Sequence, residues 1–267
     1  MKVLKLALLV IAGLYLLLLL AVYFLQEKII FPAEKLRKDY PFNLTAEDRE
    51  VFIPKSNGEK INGILYRRNG NKGVVLYLHG NAGNLMSWQH MAQEILVHNK
   101  DLLLIDYSGY GKSEGTFSEE GFYEDGHAAL KFLQQQGYAP QNIILYGRSI
   151  GSGIATQLAV SKQAGGLILE SPYCSIPQLG KEKMPFLLPG LLLRYQFNNL
   201  EKAVRIKIPV LILHGTDDTL IPCEHGQQLY KAITAPKTLV LINGGHHNDL
   251  NLFAEKEMAL KDFLSSH

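Results

Sequence analysis

The sequence is poor in cysteine, and its charges nearly balance. It has 267 residues, two cysteines (Cys174 and Cys223) and a net charge of +2. Two cysteines exclude a disulfide scaffold and a cysteine-rich zinc cluster, so we expect two free thiols, with one bridge as the alternative. The small net charge and the lack of a basic stripe exclude a typical nucleic-acid-binding protein. Neither a GxxxxGK[ST] motif nor a complete GxGxxG is present, so nothing predicts a nucleotide cofactor.

One long hydrophobic run stands out at the N-terminus. Lys2 and Lys5 precede the uncharged residues 6–25, and 20 helical residues span about 30 Å, the thickness of a bilayer's hydrocarbon core. A cleaved signal peptide is the main alternative, but no A-x-A pattern follows the run; a buried soluble helix is less favoured. We therefore predict an uncleaved single-pass membrane anchor in residues 1–26. Lysines on both sides of the run leave its orientation open.

The rest of the chain reads as a connector and one α/β domain. Residues 27–48 contain Pro32 and Pro41 and predict an irregular connector. Residues 49–267 alternate apolar strands with helical stretches, which predicts an eight-stranded, mostly parallel sheet flanked by helices, with an antiparallel hairpin first. The predicted strands are 50–53, 61–66, 74–78, 102–105, 143–146, 167–169, 210–213 and 238–242. The predicted helices are 84–98, 118–136, 150–162, 224–233 and 249–264.

One interval of about forty residues between the sixth and seventh strands lacks a strand pattern. Within it, Met184–Phe197 is apolar but is interrupted by prolines, so it is too short to span a bilayer. It predicts two packed helical turns, a small apolar cap over a substrate site at about residues 175–205 that touches lipid, or both.

A glycine-rich turn follows the fifth predicted strand. Residues 147–151 read G-R-S-I-G and match the G-x-S-x-G pattern, with a strand before it and a helix after it. In such a turn, the glycines let strand and helix approach closely and leave a serine at the tip. Ser149 is therefore predicted to be a catalytic nucleophile; the alternative is a serine that only caps the helix.

A serine nucleophile needs a base, and the base needs a carboxylate to orient it. The seventh predicted strand runs into Asp217 and Asp218, and the eighth runs into His246 and His247. The order serine, aspartate, histidine is that of the α/β-hydrolases. Spacing alone does not decide between the members of either doublet. A metal site in the stretch H-H-N-D is a much weaker alternative, because it lacks a partner motif.

An oxyanion hole requires backbone N–H groups near the nucleophile. The residue after the serine, Ile150, is one predicted donor. The second is expected from the loop after the third strand, at Asn81, with Ala82 as the alternative.

The chain resembles the α/β-hydrolase superfamily, and within it the membrane-anchored α/β-hydrolase-domain proteins related to serine aminopeptidases and prolyl oligopeptidases. The resemblance runs from about residue 51 to the C-terminus and rests on six motifs. These are H-G-N-A-G-N (79–84), D-Y-S-G-Y-G-K-S-E-G (106–115), G-R-S-I-G-S-G (147–153), E-S-P-Y (170–173), H-G-T-D-D-T-L-I-P (214–222) and G-G-H-H-N-D (244–249). The resemblance implies Asp218 and His247 as the catalytic members of the doublets and a structural role for Asp106.

These motifs predict a serine hydrolase of ester, thioester or amide bonds that needs no metal or organic cofactor. Small-molecule or lipid acyl esters are the favoured substrates, in the manner of a carboxylesterase, lipase or thioesterase, because the anchor and the cap bring apolar surface near the site. A serine peptidase and a non-catalytic, membrane-tethered scaffold on a hydrolase fold are the alternatives. The oligomeric state is left open.

Overall fold

The computed structural model of the protein describes residues 1–68, 70 and 73–267. Its strands are β1 (Arg49–Pro54), β2 (Lys60–Tyr66), β3 (Val74–Leu78), β4 (Asp101–Ile105), β5 (Ile143–Arg148), β6 (Gly166–Glu170), β7 (Val210–Gly215) and β8 (Lys237–Ile242). They form one eight-stranded sheet in the order β1-β2-β4-β3-β5-β6-β7-β8. β2 pairs antiparallel with β1 and β4, and the pairs from β4 to β8 are parallel. The predicted sheet is confirmed.

The central strands are apolar because both faces of the sheet are covered. Every residue of β3 and β4 is buried. Successive side chains point to opposite faces, so Leu76 belongs to one hydrophobic cluster and Tyr77 to the other. This burial explains why the strands read as continuous apolar runs and not as alternating ones.

Ten α-helices lie in the described residues. They are α1 (Lys2–Ile30), α2 (Leu85–Trp88), α3 (Ala92–Leu96), α4 (Glu119–Gln135), α5 (Gly151–Val160), α6 (Ile176–Lys183), α7 (Pro189–Leu192), α8 (Asn199–Ala203), α9 (Glu224–Ala232) and α10 (Ala254–Ser266).

Two predicted helices are wrong in their continuity. The helix predicted over 84–98 is divided into α2 and α3 by the 3₁₀ turn Gln89–Met91. At this break, the indole of Trp88 donates a hydrogen bond back to the carbonyl of Ala82 at 2.8 Å, a side-chain contact that helical periodicity does not reveal. The helix predicted from residue 249 begins only at Ala254, after a separate 3₁₀ turn at Leu250–Leu252.

The N-terminal helix is continuous for 29 residues and continues beyond the predicted anchor to Ile30. With a mean hydropathy of 2.8, it is long and apolar enough to cross a membrane. The next residue, Phe31, is buried against the rings of Phe117, Phe122 and Tyr195, with centroids 4.7 to 5.5 Å apart. The end of α1 is thus fixed to the domain. The predicted domain limits at residues 26 and 48 remain predictions.

The interval between β6 and β7 folds into α6, the 3₁₀ turn Pro185–Leu187, α7 and α8. We call residues 175–205 the cap. Its short helices follow from prolines at residues 177, 185 and 189, each in the first turn of a helix, where proline is tolerated. The cap contacts α1 and lines a cavity beside Ser149. Its helical turns are therefore observed, and its role as a cover over a substrate site remains a prediction.

Candidate active site

Ser149 lies at the tip of a sharp turn between β5 and α5. Its φ is +52°, a left-handed backbone conformation that is strained for a residue with a side chain. The amide of Ser149 donates to the carbonyl of Glu170 at 2.9 Å, and its carbonyl accepts from the amide of Ser152 at 2.9 Å. These two bonds hold the turn in its strained conformation and leave the hydroxyl free to face other groups.

The glycines on either side of this serine are required by close packing. A Cβ on Gly151 would lie 2.0 Å from the carbonyl oxygen of Leu78, and a Cβ on Gly147 would lie 2.6 Å from the Cβ of Ala155. Strand β3, helix α5 and the turn therefore touch backbone to backbone, which no larger residue permits. The spacing of the two glycines in the G-x-S-x-G motif is therefore imposed by this close packing.

The structure brings Ser149, His247 and Asp218 into a single hydrogen-bonded chain. His247 Nε2 is 3.1 Å from Ser149 Oγ, and His247 Nδ1 is 2.7 Å from Asp218 Oδ2. The residues are 98 and 29 positions apart in the sequence and meet because β5, β7 and β8 are parallel. The carboxyl ends of these strands therefore lie at the same edge of the sheet. This is the geometry in which a carboxylate orients an imidazole toward a serine.

The other members of the two doublets point elsewhere. His246 is 59% exposed at its side chain, and its Nδ1 contacts Asp249 Oδ2 at 2.9 Å. Asp217 is exposed, and its carboxylate accepts from the hydroxyl of Thr216 at 3.1 Å. In residues 1–68, 70 and 73–267, no group of three possible ligands surrounds His246 as a metal would require.

The carboxyl of Asp218 is held in its charged form. Burial acts to raise its pKa, but hydrogen bonding to His214 and His247 lowers the pKa by more than burial raises it. The pKa of Asp218 therefore lies well below the ordinary value for aspartate. The second oxygen accepts from the amides of Leu220 and Ile221 at 2.9 and 2.8 Å. Asp218 is thereby kept as an acceptor facing the histidine.

The predicted oxyanion donors, Ile150 and Asn81, line the same cavity as Ser149. In the described part of the chain, neither backbone amide has a hydrogen-bond acceptor. The loop that carries Asn81 is fixed at two points, since its carbonyl accepts from Tyr110 Oη at 2.7 Å and its side-chain amide donates to the carbonyl of Ile30 at 2.9 Å. Asn81 is thus also a contact with the end of α1. Its role as a donor remains a prediction.

A buried charge network beneath the serine was not assigned a role from the sequence. Arg148 Nε is 3.2 Å from Glu170 Oε1, and Lys256 Nζ is 3.1 Å from Glu170 Oε2. Arg148 also donates at 3.1 Å to the carbonyl of His247, so it connects the turn that holds the serine to the loop that holds the histidine. Arg148 and Glu170 fall within two of the quoted motifs, but a motif does not show which partners its side chains contact.

An apolar cavity of about 280 Å³ opens beside Ser149. Its walls come from the end of α1, from the cap and from the loop after β7. Lys183 is the charged residue among those that line it. The lining residues are Val22, Gln26, Ile29, Ile30, Asn81, Ser149, Ile150, Tyr173, Ile176, Leu179, Gly180, Lys183, Met184, Leu187, Pro189, Leu192, Leu193, Leu220 and Ile221.

Comparison with known proteins agrees with this architecture. The family model described as serine aminopeptidase, S33, matches residues 69–199 and 190–256. The chain is 33% identical over 238 residues to alpha/beta hydrolase domain-containing protein 17B of Homo sapiens, which covers 86% of this chain and 80% of that protein. It is 31% identical over 222 residues to an uncharacterized protein of Mycobacterium tuberculosis, covering 81% and 79%.

Solved structures show the same fold. The esterase Pf2001 of Pyrococcus furiosus superposes with a TM-score of 0.72 at 22% identity, over 89% of this chain and 99% of that chain. Est1E of Butyrivibrio proteoclasticus, solved with ferulic acid bound, superposes with a TM-score of 0.67 at 20% identity, over 81% and 98%. The sheet, the family model and these relatives define a hydrolase of the α/β-hydrolase class. Within that class, this chain belongs to the family of the S33 serine aminopeptidase model.

Proposed function

We propose that this protein is a membrane-anchored serine hydrolase that cleaves the ester or thioester bond of substrates with an apolar acyl group. The observation that carries the proposal is the contact of 3.1 Å between Ser149 Oγ and His247 Nε2 at the wall of an apolar cavity. A serine whose hydroxyl faces an oriented imidazole is suited to nucleophilic attack on a carbonyl. An apolar cavity beside it is suited to hold the acyl side of the substrate.

In the proposed mechanism, Ser149 Oγ attacks the substrate carbonyl while His247 Nε2 takes its proton. Asp218 orients the imidazole and stabilises its charged form. The amides of Ile150 and Asn81 donate to the oxyanion. His247 then gives the proton to the leaving group, and water hydrolyses the acyl-enzyme. Because a protonated imidazole cannot act as a base, turnover is expected to fall at acidic pH.

Labelling with a fluorophosphonate tests the nucleophile directly. The wild-type protein should be labelled and should hydrolyse p-nitrophenyl esters, whereas Ser149→Ala should lose both while keeping its far-UV circular dichroism spectrum. A folded wild-type protein that is not labelled would favour a scaffold over an enzyme.

A peptidase is the second candidate, and the description of the matched family model favours it. An aminopeptidase has to bind the positively charged amino terminus of its substrate, and a carboxylate is the natural partner for that charge. The described residues that line the cavity include no aspartate or glutamate. We therefore expect acyl esters to be turned over faster than aminoacyl amides, which a side-by-side assay with p-nitrophenyl esters and aminoacyl p-nitroanilides measures.

A further inference from the structure

The C-terminal end of α1 is bound to the cap by a buried polar contact. Gln26 is buried, and both ends of its amide are used: Nε2 donates to the carbonyl of Leu192 at 3.3 Å, and Oε1 accepts from the amide of Arg194 at 2.8 Å. The guanidinium of Arg194 also contacts Glu27 Oε1 at 2.9 Å. A helix that served only as a tether would not need such contacts with the domain it carries.

The same face of α1 forms one wall of the cavity. Val22, Gln26, Ile29 and Ile30 line it, at spacings that place them on adjacent turns of one helix face. From Val22 to Ile30, the wall extends about 12 Å along the helix axis. The Ile30 end is next to the predicted oxyanion loop, because the side chain of Asn81 donates to the carbonyl of Ile30 at 2.9 Å. The cavity therefore extends from the serine along α1 toward its apolar part.

The cap lies beside the second half of the apolar helix. The hydroxyl of Tyr15 donates to the carbonyl of Phe186 at 2.6 Å, so contact with the cap begins at Tyr15. Residues 2–14 of α1 extend only about 20 Å beyond that contact. A bilayer's hydrocarbon core is about 30 Å thick, so if α1 spans it, roughly the next 10 Å of α1, with the adjoining edge of the cap, also lies within hydrocarbon.

The surface of the cap is suited to that position. Phe186 is 58% exposed and Leu191 is 79% exposed, and Met184 and Leu188 are each 44% exposed. These four side chains continue the exposed apolar surface of α1. Large apolar side chains clustered at one tip of a fold are typical of membrane contact.

Resting on the proposed function, we propose that the cavity opens sideways into the bilayer between α1 and the cap and takes the acyl chain of a membrane-resident lipid ester. α1 is then a wall of the substrate site as well as an anchor. Val22 lies at the level of the hydrocarbon and contacts the distal part of the chain. Ile30 lies about 8 Å beyond the end of the apolar run at Leu25, among the headgroups, where the ester bond of a lipid is found.

A bulky residue at the distal end of the cavity tests the substrate site. We would compare Val22→Trp with Val10→Trp, which makes the same change on the same helix outside the cavity. Full-length protein in phosphatidylcholine vesicles is assayed with p-nitrophenyl dodecanoate and p-nitrophenyl butyrate. Val22→Trp should lower the dodecanoate-to-butyrate ratio of kcat/KM by about tenfold or more. Val10→Trp should leave that ratio unchanged.

Labelling of each variant with a small fluorophosphonate separates the two possible failures. If the wild-type protein is labelled but Val22→Trp keeps the wild-type ratio, or if Val10→Trp lowers it equally, the inference about α1 is wrong and the serine hydrolase proposal stands. If the wild-type protein is neither labelled nor active, the proposed function itself fails.

Fluorescence quenching by lipids brominated on their acyl chains tests the position of the cap. The chain has one tryptophan, Trp88, so Phe186→Trp is made in a Trp88→Phe background. Phe52→Trp in the same background is the control, since Phe52 is 47% exposed on the edge strand β1, outside the cap. Strong quenching for Phe186→Trp and little for Phe52→Trp is expected. Equal, weak quenching of both would overturn the position of the cap in hydrocarbon and, with it, lateral access from the bilayer.

Discussion

Replacement of Asp218 by asparagine tests the proposed activation of Ser149 by His247. Asp218 Oδ1 accepts from the amides of Leu220 and Ile221, and Oδ2 faces His247 Nδ1 at 2.7 Å. An asparagine keeps an oxygen for the two amides, so the loop should retain its conformation. Its NH₂ group then takes the place of Oδ2. Since NH₂ donates, His247 Nδ1 must become the acceptor.

The consequence is a change of tautomer. The proton of the neutral imidazole moves to Nε2, the atom that lies 3.1 Å from Ser149 Oγ. A protonated Nε2 cannot take the serine's proton, and the variant also lacks the charge that stabilises the imidazolium. For the same arrangement on another fold, this change lowers kcat about 10⁴-fold, which corresponds to about 5 kcal/mol in the activation free energy. We expect a loss of that size for Asp218→Asn.

The assay is kcat/KM for a p-nitrophenyl ester, with urea unfolding as the check on the fold. Asp217→Asn is the matched control, because Asp217 is exposed and its carboxylate accepts from the hydroxyl of its neighbour Thr216 and not from His247. It should have wild-type activity. The reasoning would be refuted if Asp218→Asn lowered kcat/KM by less than about tenfold, or if Asp217→Asn lowered it by more than Asp218→Asn does.

Two further predictions concern the packing and charges beneath the serine. Gly151→Ala should lower the free energy of unfolding by about 3 kcal/mol, measured by urea denaturation, because the new Cβ would lie 2.0 Å from the carbonyl oxygen of Leu78; unchanged stability would contradict this. Glu170→Gln should cost about 3 kcal/mol near neutral pH, since it removes the carboxylate that pairs with buried Arg148, whereas Lys256 keeps Glu94 at 2.7 Å. Burial acts to raise the pKa of Glu170, but Lys256 and Arg148 bring it below its usual value. Its contribution is therefore present above about pH 4 and is lost as the pH falls through the lower folded-state pKa, so the difference between wild type and variant should shrink in acid. A difference that grows in acid would contradict this assignment.

The strands and the candidate nucleophile could be predicted from local patterns. Strands buried on both faces require continuous apolar runs, so β3 and β5 were visible as V-V-L-Y-L and I-I-L-Y. The turn at Ser149 requires glycine at fixed positions because β3 and α5 touch there. Where packing requires a residue type at a fixed spacing, the structural element can be predicted from the sequence.

Residue spacing could not show which member of each doublet faces the site, or where the predicted helices are interrupted. His246 and His247 are adjacent and chemically identical, and only the direction in which the loop points each ring separates them. The family resemblance implied His247, but nothing in the two residues or their spacing favoured it over His246. Likewise, α2 ends at Trp88, whose indole bonds to a carbonyl six residues earlier, and this break leaves the hydrophobic pattern unchanged.

The sequence by itself determined that the chain has a long apolar N-terminal run, an alternating α/β domain, and a serine, an aspartate and a histidine after the fifth, seventh and eighth strands. Each of these is a local pattern imposed by burial or by a tight turn. Only the tertiary structure decided that α1 lies against the cap and forms a wall of the cavity at Ser149. Gln26 and Leu192 are 166 residues apart, and a contact over that distance leaves no periodic signal, because it depends on how two separately formed elements meet in space.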